Sequence, residues 1–256
     1  MPQRILLIVF MMLGSKAFAG KPLLNLFHFY DTELSIGIAS NGKMHVVPIS
    51  AMAYWRVGKS TSRLQTGLGI RVSSNFGGSS SRYITAPPEL TKGRTGISAL
   101  FRPSQTNNID SLTLQASQTN AFNLAWALRY QVNTRWAVEF NTDLIGISLG
   151  GIQKASLLYG EHSNATRNTK ATPSVFNARL FGDHNLGSLQ TALMVRYSVR
   201  GKHHVSAGLN YAINEYVIDK PVLYTNSDNV VVSTDRYRNK SLLFSVAYIR
   251  TLKKSH

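Results

Sequence analysis

The run Phe122-Asn123-Leu124-Ala125-Trp126-Ala127-Leu128-Arg129-Tyr130-Gln131-Val132 is broken by Asn133-Thr134-Arg135 and resumes as Trp136-Ala137-Val138-Glu139-Phe140. Large apolar side chains fall on every second residue: Phe122, Leu124, Trp126, Leu128, Tyr130 and Val132, then Trp136, Val138 and Phe140. Asn123, Ala125, Ala127, Arg129 and Gln131 fill the alternate positions, followed by Glu139, Asn141 and Asp143. Strict alternation over ten or more residues places one face of a strand in an apolar surrounding and the other in a polar one. Two such runs separated by a few polar residues read as a hairpin.

The same period extends through most of the chain. Leu34, Ile36 and Ile38 open the series, and Val47, Ile49, Ala51, Ala53, Trp55 and Val57 continue it. Leu64, Leu68, Ile70 and Val72 follow, then the quoted hairpin, and then Leu189, Leu193, Val195, Tyr197 and Val199. Val205, Ala207, Leu209, Tyr211 and Ile213 come next, and Leu242, Phe244, Val246 and Tyr248 close it. The pattern predicts eight strands, at 31–40, 44–57, 61–74, 120–132, 135–148, 187–199, 203–216 and 239–252. Strands of globular domains cluster near 5–6 residues, whereas a strand that crosses a bilayer needs about 9–11. From 58–60 onward, short connections alternate with long ones at 75–119, 149–186 and 217–238. Outer-membrane barrels alternate short periplasmic turns with long outer loops. The expected architecture is therefore an all-β, transmembrane, up-and-down antiparallel barrel of eight strands, with short periplasmic turns and long extracellular loops.

The N-terminus fits that destination. Basic Met1–Arg4, apolar Ile5–Leu13 and Ala17-Phe18-Ala19 form a signal-peptide pattern. Residues 1–19 are the expected leader, and 20–256 form a single barrel domain starting at Gly20. No later stretch is long and apolar enough for a transmembrane helix. The 256-residue chain has no cysteine, 28 Lys plus Arg and 12 Asp plus Glu. The missing cysteine excludes disulfides, thiol catalysis and Cys-based zinc sites. The basic charge suggests nucleic acid, but no nucleic-acid motif is present and export argues against it.

In such a barrel the apolar face meets lipid, and Trp55, Trp136, Tyr130 and Tyr197 mark a girdle beside the short turns. The small and polar face lines the lumen and holds Arg56, Arg63, Arg71, Arg129 and Arg196, with Met52, Met194 and Tyr54 adding bulk. Buried arginines need partners. Glu139 and Asp143 are the expected ones, and basic residues outnumber acids on this face. Some of the arginines are therefore expected near the lumen mouths, where they meet water or anions, and Asp31 and Glu33 show no pairing suited to acid–base work.

Three stretches carry a family likeness: Asn123–Val138 running into Asn141–Gly150, Asn185–Leu189 leading into Val195-Arg196-Tyr197, and the terminal strand Leu243–Arg250. With them the chain resembles the eight-stranded outer-membrane β-barrel proteins of the Bacteroidota. The resemblance covers the mature chain and implies a bacterial outer-membrane location. It implies lipid, lipopolysaccharide and the barrel assembly machinery as partners, and a monomer, with no cofactor. It departs from the usual pattern at the C-terminus, where Tyr248 is followed by Ile249–His256 with its basic Lys253-Lys254 extension.

Little catalytic chemistry is visible. His204 and Ser206 lie two apart on one strand face, as in lipid A deacylases, but they point to the lumen. His203-His204 has no carboxylate or third His nearby to make a metal site. Asp110-Ser111-Leu112 is similar to an O-glycosylation motif of some Bacteroidota. The expected function is a non-enzymatic barrel with an envelope-structural or surface-contact role through its basic loops. A narrow anion-favouring pore is the alternative, and a lipid A-modifying enzyme is the third reading.

Overall fold

The computed structural model describes residues 31–254 apart from 59–60, 79–80, 93–108, 161–164, 181–183 and 226–230. The expected signal peptide at 1–19 and the start at Gly20 lie outside the described residues.

Among the described residues, thirteen strands form one antiparallel sheet that closes on itself. They are β1 (Asp31–Ser40), β2 (Met44–Arg56), β3 (Leu64–Gly77), β4 (Arg82–Thr85), β5 (Ser111–Leu114), β6 (Ser117–Gln131) and β7 (Trp136–Leu149). They continue as β8 (Gln153–Leu158), β9 (Thr166–Pro173), β10 (Phe176–Ala178), β11 (Leu189–Arg200), β12 (His203–Thr225) and β13 (Val231–Lys254). A short helix, α1 (Pro88–Thr91), follows β4.

Two circuits of pairing share β12 and β13. The first runs β1–β2–β3–β6–β7–β11–β12–β13 and returns to β1, with Asp31 opposite Lys254. The second runs β13–β4–β5–β8–β9–β12 and closes through the far halves of β12 and β13. β4 occupies the place beside β13 that β1 vacates when it turns into β2 at Asn41-Gly42-Lys43. Residues 57–58 and 61–63 and the turns at 132–135 and 201–202 gather at one end with Asp31 and Lys254; this is the turn end. Gly42 and Gly201 supply the positive φ that their tight turns need.

The sheet thus has thirteen strands among the described residues: those at the eight expected positions form the first circuit, and the segments expected as long loops hold further strands. The segments 75–119, 149–186 and 217–238 hold β4, β5, β8, β9, β10 and the outer halves of β12 and β13. Those strands are short or interrupted, so their alternation is too brief to stand out. β13 also runs into the C-terminal extension, pairing Lys253 with Thr32 and Lys254 with Asp31.

The two circuits have opposite polarity. In the first, the large apolar side chains point outward and stay exposed: Ile36, Ile70, Phe122, Leu193, Leu209 and Phe244. Its interior buries arginines, carboxylates and amides. In the second, the interior is apolar. Tyr83, Leu90, Leu112, Leu114, Leu157, Tyr216, Val222 and Tyr237 form one buried cluster. Its outward positions include Arg82, Thr113, Lys154, Thr166 and Lys170. A fully buried leucine contributes about 1.5–3 kcal/mol, so the second circuit is held as a water-soluble barrel is held. The first circuit puts the same chemistry on the outside. Where β13 passes from one circuit to the other, Leu242 is outward and exposed while Tyr237 is inward and fully buried.

Leu112 and Leu157 sit opposite each other on β5 and β8 and are fully buried. Leu112→Ala is expected to destabilise the second circuit by about 2–5 kcal/mol. The check is limited proteolysis, which should cut within 82–173 while the first circuit stays protease-resistant.

Candidate functional site

The interior of the first circuit is built from alternate residues of its strands. Three arginines are buried there, Arg71, Arg129 and Arg196, and so are three carboxylates, Glu33, Glu139 and Asp143. They fall into two layers.

Nearer the turn end, Arg129 donates to Glu33 Oε2 at 2.6 Å and to Glu139 Oε2 at 2.8 Å. Arg196 donates to both oxygens of Glu33, at 2.7 and 2.8 Å. Glu33 therefore bridges two guanidinium groups. The Arg129 guanidinium also lies over the Tyr54 ring, 3.6 Å from its centroid, where the π face adds attraction. Tyr54 has room because its neighbour on β3 is Gly67; a Cβ there would fall 2.7 Å from the Tyr54 ring.

In the second layer Arg71 donates to Asp143 at 2.9 Å and to Asn141 at 2.6 Å. Asp143 also accepts from Asn123 Nδ2 at 3.0 Å and from the Gln190 backbone N–H at 2.8 Å. Asn177 of β10 donates to Asn123 at 2.7 Å, tying β10 to the interior. Between the layers lies a cavity of about 60 Å³, lined by Glu33, Tyr54, Arg71, Glu139, Gln190 and Asn210. That space suits a few water molecules, and Gln190 Nε2 and Asn210 Oδ1 have no protein partner there.

Of the residues singled out in the sequence, the structure brings Arg71 to Asp143 and Arg129 to Glu139. Arg196 meets Glu33 rather than either expected acid. Arg56 and Arg63 are not in the network; they line the mouth at the turn end, where Arg63 is exposed. With Glu33 inside and Arg56 and Arg63 at the mouth, three buried arginines face three buried carboxylates. Glu33 carried a legible signal, since Leu34, Ile36 and Ile38 face outward and its own position must face in.

A third cluster lies on the outward face above the apolar band. Glu215 is fully buried and accepts from Arg236 at 2.9 Å and from Arg238 at 2.9 Å. Both arginines also donate to the Asn185 carbonyl. The stretch around Asn185 thereby straps β12 and β13 from outside and shields a carboxylate on the face where Leu209 and Tyr211 sit.

His204 does not act with Ser206. Its Nδ1 shares a hydrogen bond with Ser198 Oγ at 2.9 Å and its Nε2 with Thr251 Oγ1 at 3.1 Å. Ser206 is inward and buried two residues along the strand, and no hydrogen bond joins it to His204. Among the described residues no group of three His, Asp or Glu side chains is placed to hold a metal ion. The Asp110-Ser111 motif is buried, with Ser111 accepting from Arg82 Nε at 2.6 Å and Asp110 accepting from Tyr224, so the motif offers no exposed hydroxyl. Burial pushes the Tyr224 and Tyr237 phenols well above their ordinary range, so they serve as neutral hydrogen-bonding groups.

Neither a protein-family profile nor a curated protein sequence matches the chain. Among solved structures it is similar to Neisserial surface protein A at 12% identity and a TM-score of 0.32, covering 87% of this chain and 95% of that one. It is similar to a major outer-membrane protein of Thermus thermophilus at 10% identity and a TM-score of 0.33, covering 85% and 99%. The monoaromatic hydrocarbon channel CymD gives 12% identity and a TM-score of 0.24 over 88% and 90%. Likeness at this level assigns this chain neither a strand number nor a function.

The bridging position of Glu33 sets an order among the acids. Glu33→Gln leaves Arg196 without a carboxylate, and its expected cost is about 3–5 kcal/mol. Glu139→Gln should cost less, because Arg129 keeps Glu33. Urea unfolding followed by the gel shift between folded and heated forms measures both; equal effects would refute the bridging role.

Proposed function

We propose that the chain is a non-enzymatic bacterial outer-membrane barrel, sealed along its axis, that carries a closed β extension on the cell surface. The observation that supports this most is the reversal of polarity along one continuous sheet. An exposed apolar band around a closed ring is stable only in an apolar solvent, since every backbone group is already paired. An apolar core with a polar exterior is stable only in water. A chain with both, joined through β12 and β13, fits a wall in lipid and an extension outside it. On this reading the first circuit is the membrane wall, of eight strands, and the turn end with its short turns faces the periplasm. Trp136 and Tyr197, with ring centroids 4.7 Å apart, then sit at the inner interface as girdle residues. The likeness to the Bacteroidota barrels rests on the sequence blocks within 123–150 and 185–250, and partnership with lipopolysaccharide and the assembly machinery follows from the location.

A surface-contact role has its own support. Lys154 and Lys170 lie directly opposite each other on β8 and β9 and are exposed. Like charges in that position destabilise a sheet, and an acidic partner relieves the repulsion. The anion-pore alternative is disfavoured by two independent closures, the ionic layers in the lumen and the tyrosine–leucine core of the extension.

Purified protein in planar bilayers is expected to give no stable conductance. Arg129→Ala combined with Arg196→Ala should give none either, because the apolar core still closes the outer end; a steady open channel in wild-type protein would reverse the ranking. The lipid-facing assignment is checked by depth. Leu193→Arg in mid-strand should cost roughly 2–4 kcal/mol and Val199→Arg at the turn end about 0–1, read as unfolding midpoints in vesicles.

A further inference from the structure

The turn-end mouth of the barrel is a blind vestibule of about 550 Å³. Its floor is the Arg129–Glu33–Arg196 layer, which is neutral once Glu139 is counted. Its rim is not. Arg56, Arg63, Arg200 and Lys202 line it against the single rim acid Asp31. Arg56 and Asp31 have further interactions of their own. Arg63, Arg200 and Lys202 have no carboxylate partner among the described residues. Arg63 Nη1 and Lys202 Nζ reach only the backbone carbonyls of Val132 and Leu252, each at 3.4 Å. The cations come from two different hairpins, Arg56 and Arg63 from β2–β3 and Arg200 and Lys202 from β11–β12, yet converge on one concavity. Hydroxyl groups of Thr61, Ser62 and Ser198 line the same space. A cleft lined by one sign of charge with low-dielectric walls focuses the field and concentrates counter-ions. Guanidinium forks and hydroxyls are donors suited to phosphate and carboxylate oxygens.

We propose that this vestibule is a binding site for a multiply charged oxyanion of diphosphate size, carried by a soluble molecule or by a lipid headgroup. The neutral floor stops the anion from passing further, so the vestibule acts as a receptor pocket rather than the entrance of a channel. The inference rests on the proposed orientation only in placing the pocket on the periplasmic side.

The test is isothermal titration of the mature chain, folded in a neutral detergent, with pyrophosphate at fixed ionic strength. Saturable binding is expected, with Kd raised about tenfold or more by Arg63→Gln, Arg200→Gln and Lys202→Gln together. These side chains are on the rim, so folding should be intact, checked by the gel shift on heating. Lys154→Gln with Lys170→Gln, at the opposite end, should leave Kd unchanged. Absence of saturable binding, or equal weakening in both variants, overturns the proposal. Cardiolipin, whose headgroup carries two phosphates, added to the micelles distinguishes the sources: competition assigns the site to lipid phosphate, and its absence assigns the site to a soluble anion. Wild-type conductance would end the sealed-barrel reading and the blind floor with it, whereas the anion site at the rim is read separately, by the titration.

Discussion

Neutrality of the buried charges is the constraint on which the rest of the first circuit depends. Three arginines lie inside a closed wall, and an unpaired charge there costs several kcal/mol. The solution distributes three carboxylates over two layers and lets Glu33 serve two arginines. That solution fixes other choices. Gly67 stays small so that Tyr54 can lie beneath Arg129. β10 supplies Asn177 to finish the amide chain that holds Asp143. The wall is then rigid because the pairs span it: Glu33 on β1, Arg129 on β6, Glu139 on β7 and Arg196 on β11 are drawn to one point.

The same logic operates with reversed sign on the outside. Glu215 occupies a position that would carry an exposed apolar side chain if the apolar band continued upward. It is instead covered by the chain around Asn185 and held by two arginines. The band ends where charges can again be satisfied, and above it the sheet turns its apolar side chains inward. Solvent choice, made residue by residue, explains why β12 and β13 change the chemistry of their buried face while remaining one antiparallel pair, with its single register shift between Val217 and Val222.

The strands of the first circuit were legible because ten or more alternating residues leave no rival reading. The quoted hairpin at 122–140 folds as its period dictates, and Arg71, Arg129 and Arg196 point inward for the same reason. Glu33 is equally legible by parity, but parity says which face a residue takes and nothing about which strands become neighbours. β4, β5 and β8 were hidden for a different reason. Each is 4–6 residues long, and the stabilisation of such pieces comes from a shared core assembled from distant segments. His204 was placed on the correct face but with the wrong partner, because a strand neighbour two residues away is farther than a cross-strand one such as Ser198.

β12 and β13 are the last two strands of the chain, with 23 and 24 residues. Both circuits close through them: β1 waits for the end of β13, and Ile84 of β4 pairs with Arg238. β1, β4, β9 and β11 are therefore open edges until the final hairpin arrives, each with a row of hydrogen-bonding groups unpaired. Contacts so far apart in sequence make for slow folding, and open edges invite pairing with other chains. The open edges must be kept from such encounters until β12 and β13 have paired, so closure of both circuits is timed by that one hairpin.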